Sequence, residues 1–154
     1  MVLEDLLPTE STEGAQHTYL VDKLQKPSYI SENPSLKARI DSIFSGDFSI
    51  IENQVNKWAN FKLIQDSIKS KKLISSDLLE SMIGQTNKDR KSSFITKYKK
   101  KFGNNYFCRI SIPVYSRDKK MFMIDVNYLG SGRTLIYKKK KDKWIRYTIS
   151  NWIS

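Results

Sequence analysis

The stretch 106–153 contains four strand-like segments separated by short polar breaks: YFCRISIPVY, MFMIDVNYL, RTLIYK and KWIRYTISNWI. Apolar and polar side chains alternate in the first, second and fourth segments, and a period of two sends successive side chains to opposite faces of a strand. Short polar breaks between such segments are typical of hairpins. The stretch therefore predicts a four-stranded antiparallel meander, whose third strand, with its apolar residues run together, is interpreted as buried on both faces.

The apolar sets of the first two strands predict their register. A slip of one residue would turn one of these sets outward, so the numbers of paired residues must have an even sum. A three-residue loop at 117–119 gives such a register, while Pro113, which cannot donate a ladder hydrogen bond, predicts a sheet edge or a bulge. The expected pairs are Val114 with Phe122, Ile112 with Ile124, Ile110 with Val126, Ser111 with Asp125, and Arg109 with Asn127.

Upstream of the predicted sheet, apolar residues repeat at helical spacing in four segments. Each segment follows a residue that commonly caps a helix, and glycines at 46, 84 and 103 are typical helix stops. The predicted helices begin at Asn33-Pro34, at Asp47, at Ser75 or Ser76 and at Asn87, and the second is expected to reach Ile68 with a break near residues 59–60. Residues 69–72 are interpreted as a basic connection.

The order of elements predicts the fold class. A run of helices followed by a run of strands is typical of α+β proteins, and 154 residues suffice for one domain. We expect a single α+β domain over 34–154, in which helices within 34–102 pack on one face of the antiparallel sheet at 106–153. The sheet is compared by analogy with the cone of nuclear-transport-factor-like domains. Residues 1–33 are expected to form an irregular arm with a short helix around 19–24.

Charge is distributed unevenly along the chain. Residues 88–154 contain 18 Lys and Arg against 4 Asp and Glu, a net charge of +14, whereas residues 1–87 contain 9 against 12, a net charge of −3. A positive field of this size favours anionic partners such as nucleic acid, an acidic protein surface or anionic lipid. It also keeps a protein soluble.

Two groups of basic residues, with aromatic residues among them, form the predicted binding surface. Single-stranded nucleic acid is bound by such surfaces through stacking and phosphate contacts, but lysines also solvate turns and protect sheet edges, and an acidic protein is a third explanation. No RNP, KH, helix-turn-helix or zinc-finger signature is present. The predicted basic patch is Lys97, Tyr98, Lys99, Lys100, Lys101, Tyr137, Lys138, Lys139, Lys140, Lys141, Lys143, Trp144 and Arg146.

A second candidate site is a polar cluster of Arg109, Ser111, Asp125 and Asn127 on the outer face of the predicted sheet. A carboxylate held there is a candidate general base or part of a ligand groove, and the alternative is a solvated face with an ion pair. Gly130-Ser131-Gly132 is interpreted as a tight turn rather than a phosphate loop, because a strand rather than a helix follows it.

The chain contains few residues for metal or nucleophilic chemistry. With one histidine, His17, and one cysteine, Cys108, the sequence predicts neither a zinc site nor a Ser-His-Asp arrangement. We therefore expect no cofactor and no enzymatic activity, and Cys108 is interpreted as a packed core residue. No apolar run approaches the length of a membrane span, and the N-terminal MVLEDLLPTE lacks the pattern of a signal peptide.

The stretch from Phe94 to Ser154 resembles the C-terminal part of a group of small, secreted or lipid-anchored proteins of Bacteroidota. The matching pieces are ISIPVYSRDKK, NYLGSG, KKKKDKW and NWIS. The chain departs from the group where many members have cysteines around the Gly-x-Gly turn. The resemblance implies the α+β fold and an exported protein whose signal has been removed, and it implies no activity.

From these observations we expect a non-catalytic binding module. Its basic surface would bind an acidic protein partner or another polyanion, as an inhibitor or immunity-type protein does, since such a protein needs only a rigid and complementary charged face. The alternative is a nucleic-acid-binding protein that uses the Lys-rich patches with their aromatic residues.

Overall fold

The computed structural model describes residues 18–28, 34–45, 48–69, 71–83 and 90–153. These residues form an α+β fold, which confirms the predicted class. The helices of the described residues are α1 (Pro34–Phe44), α2 (Phe48–Trp58), α3 (Ser76–Ser81) and α4 (Arg90–Phe102). The strands are β1 (Thr18–Val21), β2 (Lys72–Ile74), β3 (Tyr106–Ile110), β4 (Val114–Tyr115), β5 (Met121–Tyr128), β6 (Ser131–Lys140) and β7 (Lys143–Ile153).

The sheet is mixed and contains seven strands among the described residues, so the prediction of a four-stranded antiparallel meander is wrong. β1 pairs in parallel with β2 and with the first residues of β3, whereas β5, β6 and β7 pair antiparallel in chain order as predicted. β1 lies where a short helix around residues 19–24 was predicted, which is wrong, and β2 begins at Lys72, the last residue of the predicted basic connection. Strands that pair in parallel are far apart in sequence and have no hairpin turn between them. The sequence pattern therefore did not predict β1 and β2.

The chain divides into two compact units. The first unit consists of Met1–Lys23 and Lys62–Cys108, and the second consists of Leu24–Phe61 and Arg109–Ser154. Each unit is therefore built from two separate stretches of the chain. The boundary between the units falls within β3, after Cys108. The comparison with nuclear-transport-factor-like cones stays a prediction.

The core of the first unit is rich in aromatic residues. On α4, Phe94 and Tyr98 are buried, and both rings contact Phe107 of β3 with centroids 5.8 and 5.1 Å away. At the start of α3, the Ser75 side chain accepts a hydrogen bond from the backbone N–H of Leu78, which confirms one of the two predicted caps. α4 ends at Phe102, and the next residue, a glycine with φ of 63°, has the left-handed conformation of a helix stop.

In the second unit, β5 is buried on both faces, because five consecutive residues from Phe122 to Val126 are buried. The predicted register is confirmed at the start of the hairpin, where Arg109 pairs with Asn127. It is wrong beyond Pro113, where Val114 pairs with Met123 rather than with Phe122. The chain gains one residue at this bend, and the backbone hydrogen bond from Ser116 to Met121 closes a loop of four residues instead of three.

β6 and β7 form the longest pairing in the second unit. The register shifts between Thr134 and Leu135, which marks a bulge. Residues 134–137 are all buried, as expected for a third segment with both faces covered. α2 ends at Trp58, next to the expected break, and does not extend to Ile68.

We predict that Gln54 holds the short edge strand β4 against α2. Its side-chain Nε2 donates to the carbonyl oxygen of Tyr115 at 2.8 Å, and its Oε1 accepts from the Tyr115 N–H at 2.9 Å. Gln54→Leu keeps the volume but leaves two backbone groups unpaired, so it should lower the free energy of unfolding by about 2 kcal/mol in denaturant titrations. Asn53→Leu, at an exposed position of the same helix, is the control, and equal stability of both variants with the parent chain would contradict the role of Gln54.

Candidate functional site

The hairpin that joins β6 to β7 carries the densest charge of the second unit. Lys140 pairs directly with Lys143 across a two-residue turn of Lys141 and Asp142. Lys141 has φ of 53°, a left-handed conformation that costs a residue other than glycine about 1–2 kcal/mol. Like charges directly opposite each other also destabilise a strand pair. The turn therefore contains two features that do not favour folding.

The turn between β4 and β5 lies beside this hairpin. The Lys139 N–H donates to the carbonyl oxygen of Lys120 at 2.8 Å, so lysines from two turns lie at the same end of the sheet. The sequence analysis missed the contribution of this second turn, which only the strand order reveals. We call the combined surface the hairpin patch, and its exposed residues are Lys119, Lys120, Lys138, Lys139, Lys140, Lys141, Lys143 and Arg146.

Two carboxylates, Asp118 and Asp142, lie in the turns of the hairpin patch. Asp118 Oδ1 accepts hydrogen bonds from the Ser116 hydroxyl at 2.7 Å and from the Lys120 N–H at 3.0 Å. The Ser116 hydrogen bond and then the Lys120 N–H lower the pKa of this carboxyl. Asp118 therefore shapes the turn, and the surface around it stays strongly cationic.

Two of the predicted stacking aromatics are not available to a ligand. Tyr137 is buried and stacks on Phe122 with centroids 4.7 Å apart and an interplanar angle of 6°. Tyr98 is buried in the core of the first unit. Trp144 is half-buried, with its ring edge-on to Phe122 at 4.9 Å. Most of the aromatic residues that lie between the lysines in the sequence therefore belong to the cores. Their spacing alone does not distinguish buried residues from exposed ones.

Arg146 joins the hairpin patch to the core. Burial raises the pKa of the Tyr137 phenol, and the Arg146 charge and its hydrogen bond to this side chain act in the opposite direction. Because Arg146 and Tyr137 are cross-strand partners, one end of this arginine is anchored while the residue stays exposed. Arg146 thus has a structural role through its hydrogen bond with Tyr137, in addition to the charge that it adds to the hairpin patch.

The other predicted basic group lies on α4, in the first unit. Lys97, Lys99, Lys100 and Lys101 are all exposed, and the last three belong to the final turn of the helix. Cations there interact favourably with the helix dipole. These lysines therefore have a structural explanation that the hairpin patch lacks, and a joint surface of the two groups stays a prediction.

In the predicted polar cluster Asp125 and Ser111 are buried, and Arg109 and Asn127 are partly buried. Asp125 is 1% exposed, and its Oδ2 accepts hydrogen bonds from the backbone N–H of Ser28 and from the Ser28 hydroxyl, the latter at 2.8 Å. Its Oδ1 accepts from the Thr134 hydroxyl at 2.7 Å. The expectation of a wet outer face is wrong, because the segment around Ser28 covers this part of the sheet.

The other members of the cluster follow the predicted register. The Ser111 hydroxyl accepts a hydrogen bond from the Asp125 N–H at 2.9 Å, and Asn127 donates to the Gln25 side chain at 2.8 Å. Gln25 also bonds through its backbone to Ile110 and Ile112. These contacts support a structural role for the cluster, since every polar group named here holds the covering segment or the strand beneath it.

Sequence reasoning missed three residues of this cluster: Gln25, Ser28 and Thr134. Thr134 could have been found from the register of β5 and β6, which places it opposite Asp125. Gln25 and Ser28 could not, because they lie in a segment without periodic pattern. The predicted irregular arm thus contributes, over its described residues, β1 and this cover of the sheet.

The Gly130-Ser131-Gly132 segment forms part of a tight turn, as expected. Tyr128 pairs with Ser131, so Leu129 and Gly130 are the two turn residues, and Gly130 has φ of 83°.

Among the described residues, no group of three or more His, Cys, Asp or Glu side chains is placed to hold a metal ion. Within the same residues, no helix is long and apolar enough to span a membrane.

No family model, curated protein or solved structure matches this chain. The fold and the candidate surfaces are therefore described from the chain itself. The resemblance of residues 94–154 to exported proteins of Bacteroidota stays a prediction.

We predict that Asp125 stabilises the fold through its negative charge. In Asp125→Asn one acceptor oxygen becomes an amide donor, which cannot accept from the Ser28 N–H or from Thr134, so the free energy of unfolding should fall by about 2–3 kcal/mol. Ser28→Ala loses only the hydroxyl contact and should cost about 1 kcal/mol. Asp142→Asn removes the same charge at an exposed turn and serves as the control. Unchanged stability of Asp125→Asn would reopen a functional role for this carboxylate.

We predict that the Cys108 thiol reacts with thiol reagents only when the protein opens. The residue is fully buried, and burial raises its pKa to about 11, with a smaller opposing effect of Lys71. At pH 8 only about one thiol in a thousand would be ionised. Labelling should therefore require denaturant, whereas a Thr96→Cys thiol on the exposed face of α4 should react at once. Rapid labelling of Cys108 in the native protein would contradict the burial of this strand.

Proposed function

We propose that this protein is a non-catalytic binding module that engages an acidic protein surface through the hairpin patch. The observation that carries the proposal is the pair of opposed lysines, Lys140 and Lys143, at a turn whose first residue is in the left-handed region. Features that weaken a fold are retained where they serve recognition. Eight exposed cations lie on the two turns and on the adjoining ends of β6 and β7, and three of them, Lys138, Lys140 and Lys143, share one face of the sheet and are complementary to carboxylates.

The burial of Tyr98 and Tyr137 favours an acidic protein over single-stranded nucleic acid. Base stacking needs exposed rings between the cations, and these two rings lie in the cores of their units. Tyr147 is the exposed aromatic nearest to the hairpin among the described residues, at 50% exposure. A charged protein partner needs no such platform, because opposite potentials steer the encounter and fix the orientation.

The polar cluster supports the non-catalytic part of the proposal. Both carboxylate oxygens of Asp125 accept hydrogen bonds from Ser28 and Thr134, donors that hold the chain in place. A general base must lie within reach of a substrate proton, whereas Asp125 is 1% exposed. The arrangement at Asp125 is that of a structural carboxylate.

We predict that the hairpin patch, and not α4, determines polyanion binding. The triple variant Lys138→Glu, Lys140→Glu and Lys143→Glu should bind fluorescent poly-glutamate at least about tenfold more weakly than the parent chain at low salt, because it inverts the local field. The matched control, Lys97→Glu, Lys100→Glu and Lys101→Glu, has the same net charge and should retain most of the binding. Equal losses in both variants would show a response to net charge and would contradict the proposal.

Titration with oligo-dT over salt separates the acidic partner from nucleic acid. A surface that recognises charge alone should bind oligo-dT no more tightly than poly-glutamate of equal charge, with a similar dependence on salt. Tighter binding of oligo-dT that persists at high salt and quenches tryptophan fluorescence would favour nucleic acid instead.

A further inference from the structure

An open groove lies between α1 and the strands β6 and β7, within the second unit. Its volume is about 630 Å³, and its lining includes Ala38, Arg39 and Ile43 of the helix together with Ile136 and Tyr147 of the strands. Ile136 and Tyr147 are cross-strand partners, so the floor of the groove is one row of the sheet. The groove is thus built from regular elements and does not depend on a loop.

Small side chains on α1 create the concavity. Ser35, Ala38 and Ser42 are exposed and recur at spacings of three and four residues, which places them on one face of the helix. Between Arg39 and Ile43 of the same helix, these small side chains leave space beside Tyr147, which is half exposed. A gap of this kind accepts an apolar side chain from outside, since its floor is aliphatic and aromatic.

The groove is continuous with the hairpin patch. Lys138 pairs with Ile145 two residues along from the pair of Ile136 and Tyr147, and the two pairs share a face because alternate residues of a strand point the same way. Arg39 adds a cation on the helix side. An apolar floor is therefore flanked by positive charge on both the helix and the strands.

We propose that this groove takes the apolar anchor of an acidic peptide segment. One bulky aliphatic or aromatic side chain of the partner packs against Ala38, Ile136 and Tyr147, while carboxylates beside it pair with Arg39 and Lys138. This inference rests on the proposed function, because it assigns to the acidic partner a point of specific contact. Charge complementarity selects this occupant over a second copy of the chain, whose net charge of +11 would oppose self-association.

The test begins with selection of phage-displayed random peptides on the immobilised full chain at low salt. The enriched peptides should carry several Asp or Glu residues around one bulky apolar residue. Binding of the enriched peptides is then measured by fluorescence anisotropy with the parent chain, Ala38→Trp and Asn56→Trp. Ala38→Trp fills the groove, whereas Asn56→Trp adds the same side chain at an exposed site of α2.

We expect Ala38→Trp to weaken binding about tenfold or more, and replacement of the apolar peptide residue by serine to have an effect of the same size. Asn56→Trp should bind as the parent chain does. Thermal melting followed by circular dichroism should show that Ala38→Trp is folded, since residue 38 is exposed on its helix.

Four results would overturn the inference, and they have different consequences for the proposed function. Enrichment of acidic residues without an apolar one, or binding unaffected by Ala38→Trp but lost in the hairpin triple variant, refutes the groove and leaves the proposed function standing. A lack of acidic enrichment refutes both. Self-association in sedimentation velocity that Ala38→Trp abolishes would assign the groove to a second copy.

Discussion

The burial of β5 on both faces is the constraint on which the second unit depends. Five consecutive buried residues, 122–126, require a cover on each side of the sheet, and one of them is the charged Asp125. On the face of Asp125 the cover includes the segment around Ser28, which precedes α1 by a few residues. The same face carries Ile136 further along the sheet, where α1 leaves the open groove. The segment around Ser28 and helix α1 thus both contribute to this face of the sheet.

Asp125 is a buried carboxylate with no cation among the partners named here, so its burial costs folding free energy. Its hydrogen bonds favour one defined arrangement of the chain around it. An unpaired buried charge costs several kcal/mol, about as much as the whole stability of some domains. Asp125 avoids this cost only when Ser28 and Thr134 donate to it at once. Together with the backbone hydrogen bonds of Gln25 to Ile110 and Ile112, these contacts give an irregular segment one defined position, which hydrophobic contact alone would specify less well.

The sequence predicted elements whose signals are local and missed those that depend on distant partners. The Ser75 cap of α3, the stop of α4 at Gly103 and the antiparallel order of β5, β6 and β7 follow from neighbouring residues, and they agree with the structure. β1 and β2 are short and pair in parallel, so nothing nearby in the sequence marks them. Tyr98 and Tyr137 lie among lysines in sequence but are buried in the cores of their units.

The sheet changes from core to surface within a few residues at its β6–β7 end. Tyr137 is buried against Phe122, whereas Lys138, the next residue, is exposed, and Lys140 and Lys143 are exposed across the turn. Side chains beyond the last covered row contribute little to packing, so their identity is free to be set by recognition rather than by folding. Ile136 is both a buried core residue and part of the floor of the groove beside α1, so it serves folding and recognition at once. A substitution at Ile136 would therefore change both the core and the floor of the groove.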